Sequence, residues 1–211
     1  MTRTLTRTAV IVLLCCCVGG AISADRLILI PTGTTLTTGQ ARGEYAGHES
    51  KQAYWAAVGI SRLEVEGAWF KGFGAGNANA LSAQVGVLPE TSFTPAIGLG
   101  VRDIGDKIVG EPAPYAGRSF YLAASKSVPL SGGEAMLQEL KVHVGIGTGS
   151  LKGIFFGAET TLPGKVQLAG EYDTETFNFA ATYSVAPFVK MRVSSIGGDA
   201  YYGALVTTSL R

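Results

Sequence analysis

The chain has 211 residues, 46% of them hydrophobic, with 29 glycines and 17 basic against 16 acidic side chains. That near-balance excludes the basic excess on which nucleic-acid binding rests. The length fits one domain, and abundant glycine with few long helical patterns points to an all-β chain.

Residues 1–24 come first. Arg3 and Arg7 precede an uncharged apolar run, AVIVLLCCCV, and the small residues GGAISA follow it. This order is that of a secretory signal, with cleavage after Ala24. The alternative is a retained anchor, but the run falls short of the roughly 20 apolar residues a membrane helix needs. Cys15, Cys16 and Cys17 all lie inside the signal, so the mature chain has no disulfide and no cysteine metal site. Leu14, rather than a small residue, precedes Cys15, which argues against lipidation. Losing Arg3 and Arg7 with the signal leaves 15 basic and 16 acidic residues. Residues 25–38 read as an N-terminal lead-in, and residues 39–211 as a single β-domain.

That domain divides at period two into twelve short segments: 39–47, 52–59, 62–71, 77–87, 92–102, 115–128, 136–147, 152–161, 165–173, 176–185, 188–196 and 199–210. In the third, Leu63, Val65, Gly67 and Trp69 oppose Arg62, Glu64 and Glu66. In the seventh, Leu140, Val142, Val144 and Ile146 oppose Glu139, Lys141 and His143; in the eleventh, Val189, Met191 and Val193 oppose Lys190 and Arg192. Such alternation marks strands with one apolar and one polar face. The longest break is DIGDKIVGEPAP, Asp103 to Pro114; others are brief, among them Ile60-Ser61, LPET, PLSGGEA, LPG and AP. Pro95 fits poorly inside the fifth segment, because proline cannot donate to a ladder.

The ninth and tenth segments pose the main question. In KVQLAGEYDTETFNFAATYS, residues 165–184, Val166, Leu168, Tyr172, Phe177, Phe179 and Tyr183 share one face. Lys165, Gln167, Glu171 and Asp173 take the other. A soluble sandwich or lipocalin-like barrel buries the apolar face; a membrane barrel turns it outward. Segments of about 9–11 residues match the length a tilted membrane strand needs. Aromatic residues that end apolar faces (Trp69, Tyr172, Tyr183, Phe188, Tyr202) match the aromatic girdles of such barrels, and the strand number is even. The expectation is an all-β, antiparallel transmembrane β-barrel of about 12 strands, after a cleaved signal peptide, in the outer membrane. The apolar face then meets outer-membrane lipid. Glu64, Glu66, Glu139, Lys141, Lys165, Glu171, Asp173, Lys190 and Arg192 face the lumen. The alternative is a secreted soluble β-barrel binding a small apolar ligand.

GIFFGAETTLPGKVQLAGEYDTETFNFAATYS, residues 153–184, resembles a two-hairpin signature of the YjbH-type outer-membrane β-barrel family. An aromatic strand flanked by glycine leads to Glu159, a tight turn follows, and the next strand ends Glu171-Tyr172-Asp173. The stretches PTG (Pro31 to Gly33), TPAIGLGVRDIGD (Thr94 to Asp106) and FYLAASKSVPL (Phe120 to Leu130) resemble that family too. The similarity runs from about residue 30 to the end, as a short single-barrel member. It implies an outer-membrane barrel associated with exopolysaccharide or capsule production and export. Polysaccharide or export machinery would be its partners.

Catalytic constellations are sparse. His143 with Ser125 or Ser150 is the one imaginable hydrolase pair, and no elbow motif or fixed spacing supports it. No metal-ligand spacing occurs, and the runs GFGAGNANA and GIGTGS lack the strand–helix context of a phosphate loop. No catalytic, cofactor or metal residue is therefore predicted, and the chain reads as non-enzymatic. The lumen charges have two readings: a mutually paired filling, or a polar conduit for a glycan or small solute.

Overall fold

The computed structural model describes residues 26–73, 76–109, 116–129 and 139–209. The predicted signal, residues 1–24, lies outside the described residues, as does most of the PLSGGEA connection. Twelve strands are present among the described residues. They are β1 (Gln40–His48), β2 (Lys51–Ile60), β3 (Leu63–Phe73), β4 (Gly76–Leu88), β5 (Ala96–Arg102), β6 (Ser119–Pro129), β7 (Glu139–Gly147), β8 (Gly153–Leu162), β9 (Val166–Tyr172), β10 (Phe177–Ala186), β11 (Val189–Ile196) and β12 (Asp199–Ser209).

Each strand pairs antiparallel with its sequence neighbours, and β1 pairs with β12 from Gln40↔Ser209 to Gly47↔Tyr202, which closes the sheet into a barrel. Closure leaves no strand edge unpaired. The N-terminal end of β1 and the C-terminal end of β12 define one mouth, called here the terminal end; the other is the far end. The tightest turns follow their residues: Gly197 and Gly198 both have positive φ (59° and 94°), as a two-residue type I′ hairpin requires.

Pro95 sits just ahead of β5, which begins one residue later than the proline, so no ladder bond is lost. The predicted fifth segment therefore starts too early: Phe93 belongs to the preceding connection and is 96% exposed. The sixth also starts late, at Ser119.

Alternation along the strands sorts side chains into two environments. On β10, Phe177, Phe179 and Tyr183 are exposed while Asn178 and Thr182 are buried. Leu168 is likewise exposed, and Val166 and Tyr172 are half-buried between neighbours. Outward residues adjoin across strands: Tyr183 lies opposite Met191, and Val193 opposite Tyr202, all four at least 49% exposed. A soluble barrel that holds an apolar ligand needs the reverse arrangement, apolar inside and polar outside. Rings cluster on the outer wall near the far end, where Phe156, Tyr172 and Phe177 have centroids 5.0–6.4 Å apart and Tyr45 and Tyr54 are 5.1 Å apart.

The lumen is occupied by the chain itself. Residues 26–36 rise from the terminal end, and their first part folds into a hairpin: Arg26 bridges Pro31, and the Leu27 N–H donates to the Ile30 carbonyl at 3.0 Å. Leu27, Ile28, Leu29 and Ile30 are all buried, at 0–4% exposure. The wall makes room for them with inward alanines such as Ala46, Ala68, Ala123 and Ala180, and fills the remainder with Trp55, Phe70 and Phe155. This segment is the N-terminal lead-in of the sequence reading, and it is the centre of the core.

Candidate functional site: the filled lumen

Consecutive apolar residues at 27–30 have no polar face to offer, so their backbone groups need partners in a place without water. The barrel wall supplies them from side chains. The Glu171 carboxylate on β9 accepts three successive backbone N–H groups, from Ile28 (2.9 Å), Leu29 (2.8 Å) and Ile30 (3.2 Å). Asn178 Nδ2 on β10 donates to the same carboxylate at 3.2 Å and to Asp173 at 2.8 Å. From across the lumen, Arg102 on β5 donates to the Leu29 carbonyl at 2.6 Å. Gln84 on β4 donates to the Thr34 carbonyl at 3.0 Å, its amide oriented by the Tyr121 hydroxyl. Glu64 on β3 accepts the Leu36 N–H at 2.6 Å.

Charges fill the terminal half of the lumen. Arg192 on β11 pairs with Glu44 on β1 (2.9 Å), and Glu44 pairs with Arg26 of the hairpin (2.7 Å). Arg26 also lies 3.6 Å from Glu66, which meets Arg42 at 3.0 Å; Arg42 in turn stands 4.0 Å from Glu64. The result is an alternating chain of six ions across β11, β1, the hairpin and β3. The Arg26 guanidinium also stacks 4.2 Å over the Trp55 ring. Burial of charge at this depth is tolerated only where every ion has partners.

Predicted lumen residues thus divide. Glu64, Glu66, Glu171 and Asp173 are buried in the lumen and bonded as described, and Arg192 is half-buried in the ion chain. Lys190 is half-buried beside the same chain, lining a cavity of about 50 Å³ with Arg42, Arg192 and Glu159. Lys141 is half-buried, opposite Glu159 in register. Two are not inside. Glu139 is exposed at the terminal end of β7. Lys165 is exposed in the β8–β9 turn, where its φ of 67° swings it off the wall and ends the alternation. The sequence reading missed Arg26, Arg42, Glu44 and Arg102. Arg42 and Glu44 alternate with Gly43 and Tyr45, a signal as clear as that of β3. Arg26 and the run LILI carried a different signal: four successive large aliphatics fit neither face of a strand.

The His143–Ser125 pair does form. Ser125 Oγ lies 2.7 Å from His143 Nδ1, and Glu159 Oε1 lies 3.6 Å from Nε2. Ser150 bonds Ser119 instead, at 2.8 Å. Ser125 is 1% exposed, and its Oγ already accepts the Gly33 N–H at 2.7 Å. Its oxygen is therefore covered by the hairpin rather than open to a substrate, and the trio anchors Gly33. That glycine is required by space: a Cβ there would run into the Ala96 carbonyl and stand 2.7 Å from the Ser125 nitrogen, both backbone atoms. No group of three or more His, Cys, Asp or Glu side chains among the described residues is arranged to hold a metal ion.

Above the hairpin tip, at the far end, a vestibule of about 200 Å³ remains. Leu29, Trp55, Phe70, Phe73, Ile196 and Tyr201 line its interior. Lys51, Glu175 and Asp199 form its more exposed rim, and buried Asp173 lines it as well.

No family model matches the chain, and no curated protein matches it in sequence. Among solved structures it is similar to one described as "KdgM porin in complex with disordered oligogalacturonate". The two share 10% identity over 82% of this chain and 99% of that one, with a TM-score of 0.48.

Proposed function

We propose that the protein is a non-enzymatic integral barrel of the bacterial outer membrane, closed at rest by its own N-terminal hairpin, that supports exopolysaccharide export or envelope structure. One observation carries the membrane reading: every strand of a closed barrel exposes at least one large apolar side chain on the outer wall, while the chain of six ions lies inside. In water such a surface is an association hazard far beyond the usual apolar patch of a monomer. In lipid it is the required surface, and closure pairs every strand on both sides, as a membrane-spanning sheet must. The signal directs the chain across the inner membrane and is removed after Ala24. The hairpin then begins one residue after the new terminus. With the N-terminal end of β1 and the C-terminal end of β12 at one mouth, that mouth faces the periplasm and the far end faces outside.

The filled lumen supports a barrel that does not conduct unless the hairpin moves. The polysaccharide role rests on the resemblance of residues 153–184 to YjbH-type barrels; outer-membrane lipid and an export partner follow from it. Three measurements test the reading. N-terminal sequencing of the mature protein should begin at Asp25, in the outer-membrane fraction. Planar-bilayer recordings of the full mature chain should show little conductance. A deletion strain should lose or alter surface polysaccharide. Recovery as a detergent-free monomer overturns the membrane reading; an unchanged surface glycan overturns the polysaccharide role alone.

A further inference from the structure

We propose that the far-end vestibule is a binding site for a small organic cation with an apolar body, of the arylalkylammonium class. The inference extends the membrane reading, which turns this mouth to the exterior.

The interior of the vestibule is alkyl and aromatic: Trp55, Phe70, Phe73 and Tyr201 surround Leu29 and Ile196. Its polar groups gather at the mouth. There the lining carries two partly or fully exposed acids, Glu175 and Asp199, and one base, Lys51; a third acid of the lining, Asp173, is buried. The acids differ in what they have left to offer. Asp173 is committed to its own loop, accepting the N–H groups of Glu175 (3.1 Å) and Thr176 (2.8 Å) and the Asn178 amide, so it contributes charge rather than contact. Asp199 meets both Lys51 (3.4 Å) and His48 (3.9 Å) through Oδ2. The Glu175 side chain is exposed and makes no hydrogen bond or ion pair among the described residues.

An apolar cavity beneath an acid-rich mouth selects a ligand with the same division. Its hydrocarbon part displaces water from rings and alkyl groups, as in ordinary small-molecule pockets. Its cationic head meets Glu175 and Asp199 and competes with Lys51, whose ammonium lies 5.9 Å over the Phe73 ring. A saccharide matches less well: hydroxyls carried into the alkyl and aromatic interior would exchange water for carbon. Anions meet an excess of like charge. The Leu29 side chain, at the hairpin tip, forms the base of the site, so a bound cation contacts the closed state of the lumen directly.

The test uses the full mature chain in detergent micelles or nanodiscs. Phenethylammonium is titrated by calorimetry, with 3-phenylpropanol as the neutral analogue, benzoate as the anion and galactose as the sugar. Phenethylammonium should bind saturably, at least tenfold tighter than phenylpropanol, with benzoate and galactose silent. Glu175→Gln with Asp199→Asn should weaken the cation at least tenfold and leave phenylpropanol unchanged. Lys51→Gln, which removes the competing rim base, should tighten it severalfold. Equal binding of the cation and phenylpropanol, binding of galactose instead, or no saturable cation binding each overturns the proposal. Heat-modifiable migration on gels reports barrel integrity for each variant. A folded, membrane-inserted barrel that ignores phenethylammonium therefore counts against the vestibule alone.

Discussion

The barrel wall and the hairpin inside it are held by different kinds of bond. In the wall, backbone meets backbone: β3 pairs with β2 and β4 over most of its length, and each lost bond has neighbours to share the strain. In the hairpin, apart from the Leu27–Ile30 turn, backbone meets side chain: one carboxylate, Glu171, takes three N–H groups, and Arg102, Ser125, Gln84 and Glu64 take one backbone group each. A wall of this sort resists point changes except those that alter its solvent. A hairpin of this sort depends on a handful of side chains, any of which a single substitution can remove. The same chain therefore contains a rigid cylinder and a filling that is separable from it by mutation.

The sharpest way to break the comparison is at Arg26, where the hairpin enters the ion chain. Arg26→Met leaves Glu44 and Glu66 short of a buried partner and should cost about 3–5 kcal/mol, read as a lower urea midpoint in lipid vesicles. Bilayer conductance should rise with it while the barrel persists. Next is the wall. Arg at Leu168 or Phe179 should cost about 2–4 kcal/mol if mid-membrane, seen as poor insertion, with no gain in conductance among molecules that do insert. The same charge at half-buried Gln167 should cost less. Asn178 is not a mild control: although inward, it is fully buried and holds both Glu171 and Asp173.

Glu171→Gln is a finer probe. It replaces a carboxylate facing three donors by an amide with a single acceptor oxygen and two donors of its own, for about 1–3 kcal/mol. Channel openings in recordings should increase, with folding retained. Gly33→Val tests the same separability through space rather than charge, since the side chain would meet the backbone of β5 and β6. The smallest effect is expected at Lys126→Ala. Its ammonium meets Glu90 at 3.8 Å and donates to the Thr91 and Ser92 carbonyls, all at the partly solvated terminal rim, where an ion pair is worth about 0–1 kcal/mol. If Lys126→Ala matched Arg26→Met in stability or conductance, the distinction between filling and wall would fail.

The sequence by itself determined the wall. Period-two alternation, interrupted by turn residues, placed all twelve strands, because each strand lies between two unlike environments and must sort its side chains residue by residue. It also determined that Glu64, Glu66, Glu171 and Asp173 share the face opposite Leu63, Leu168 and Phe179. Local reasoning went astray where alternation gives out, at Phe93 before Pro95 and at Lys165 in its turn. Only the tertiary structure decided what fills the barrel. The run Leu27–Ile30 alternates with nothing, so periodicity assigns it no face. Its partners, Glu171, Arg102 and Ser125, lie 73 to 143 residues away or, for Ser125, 92 from Gly33. Such contacts arise because closure of the sheet encloses a space that alanines leave unfilled, and the apolar segment that fills it is the one leading into β1.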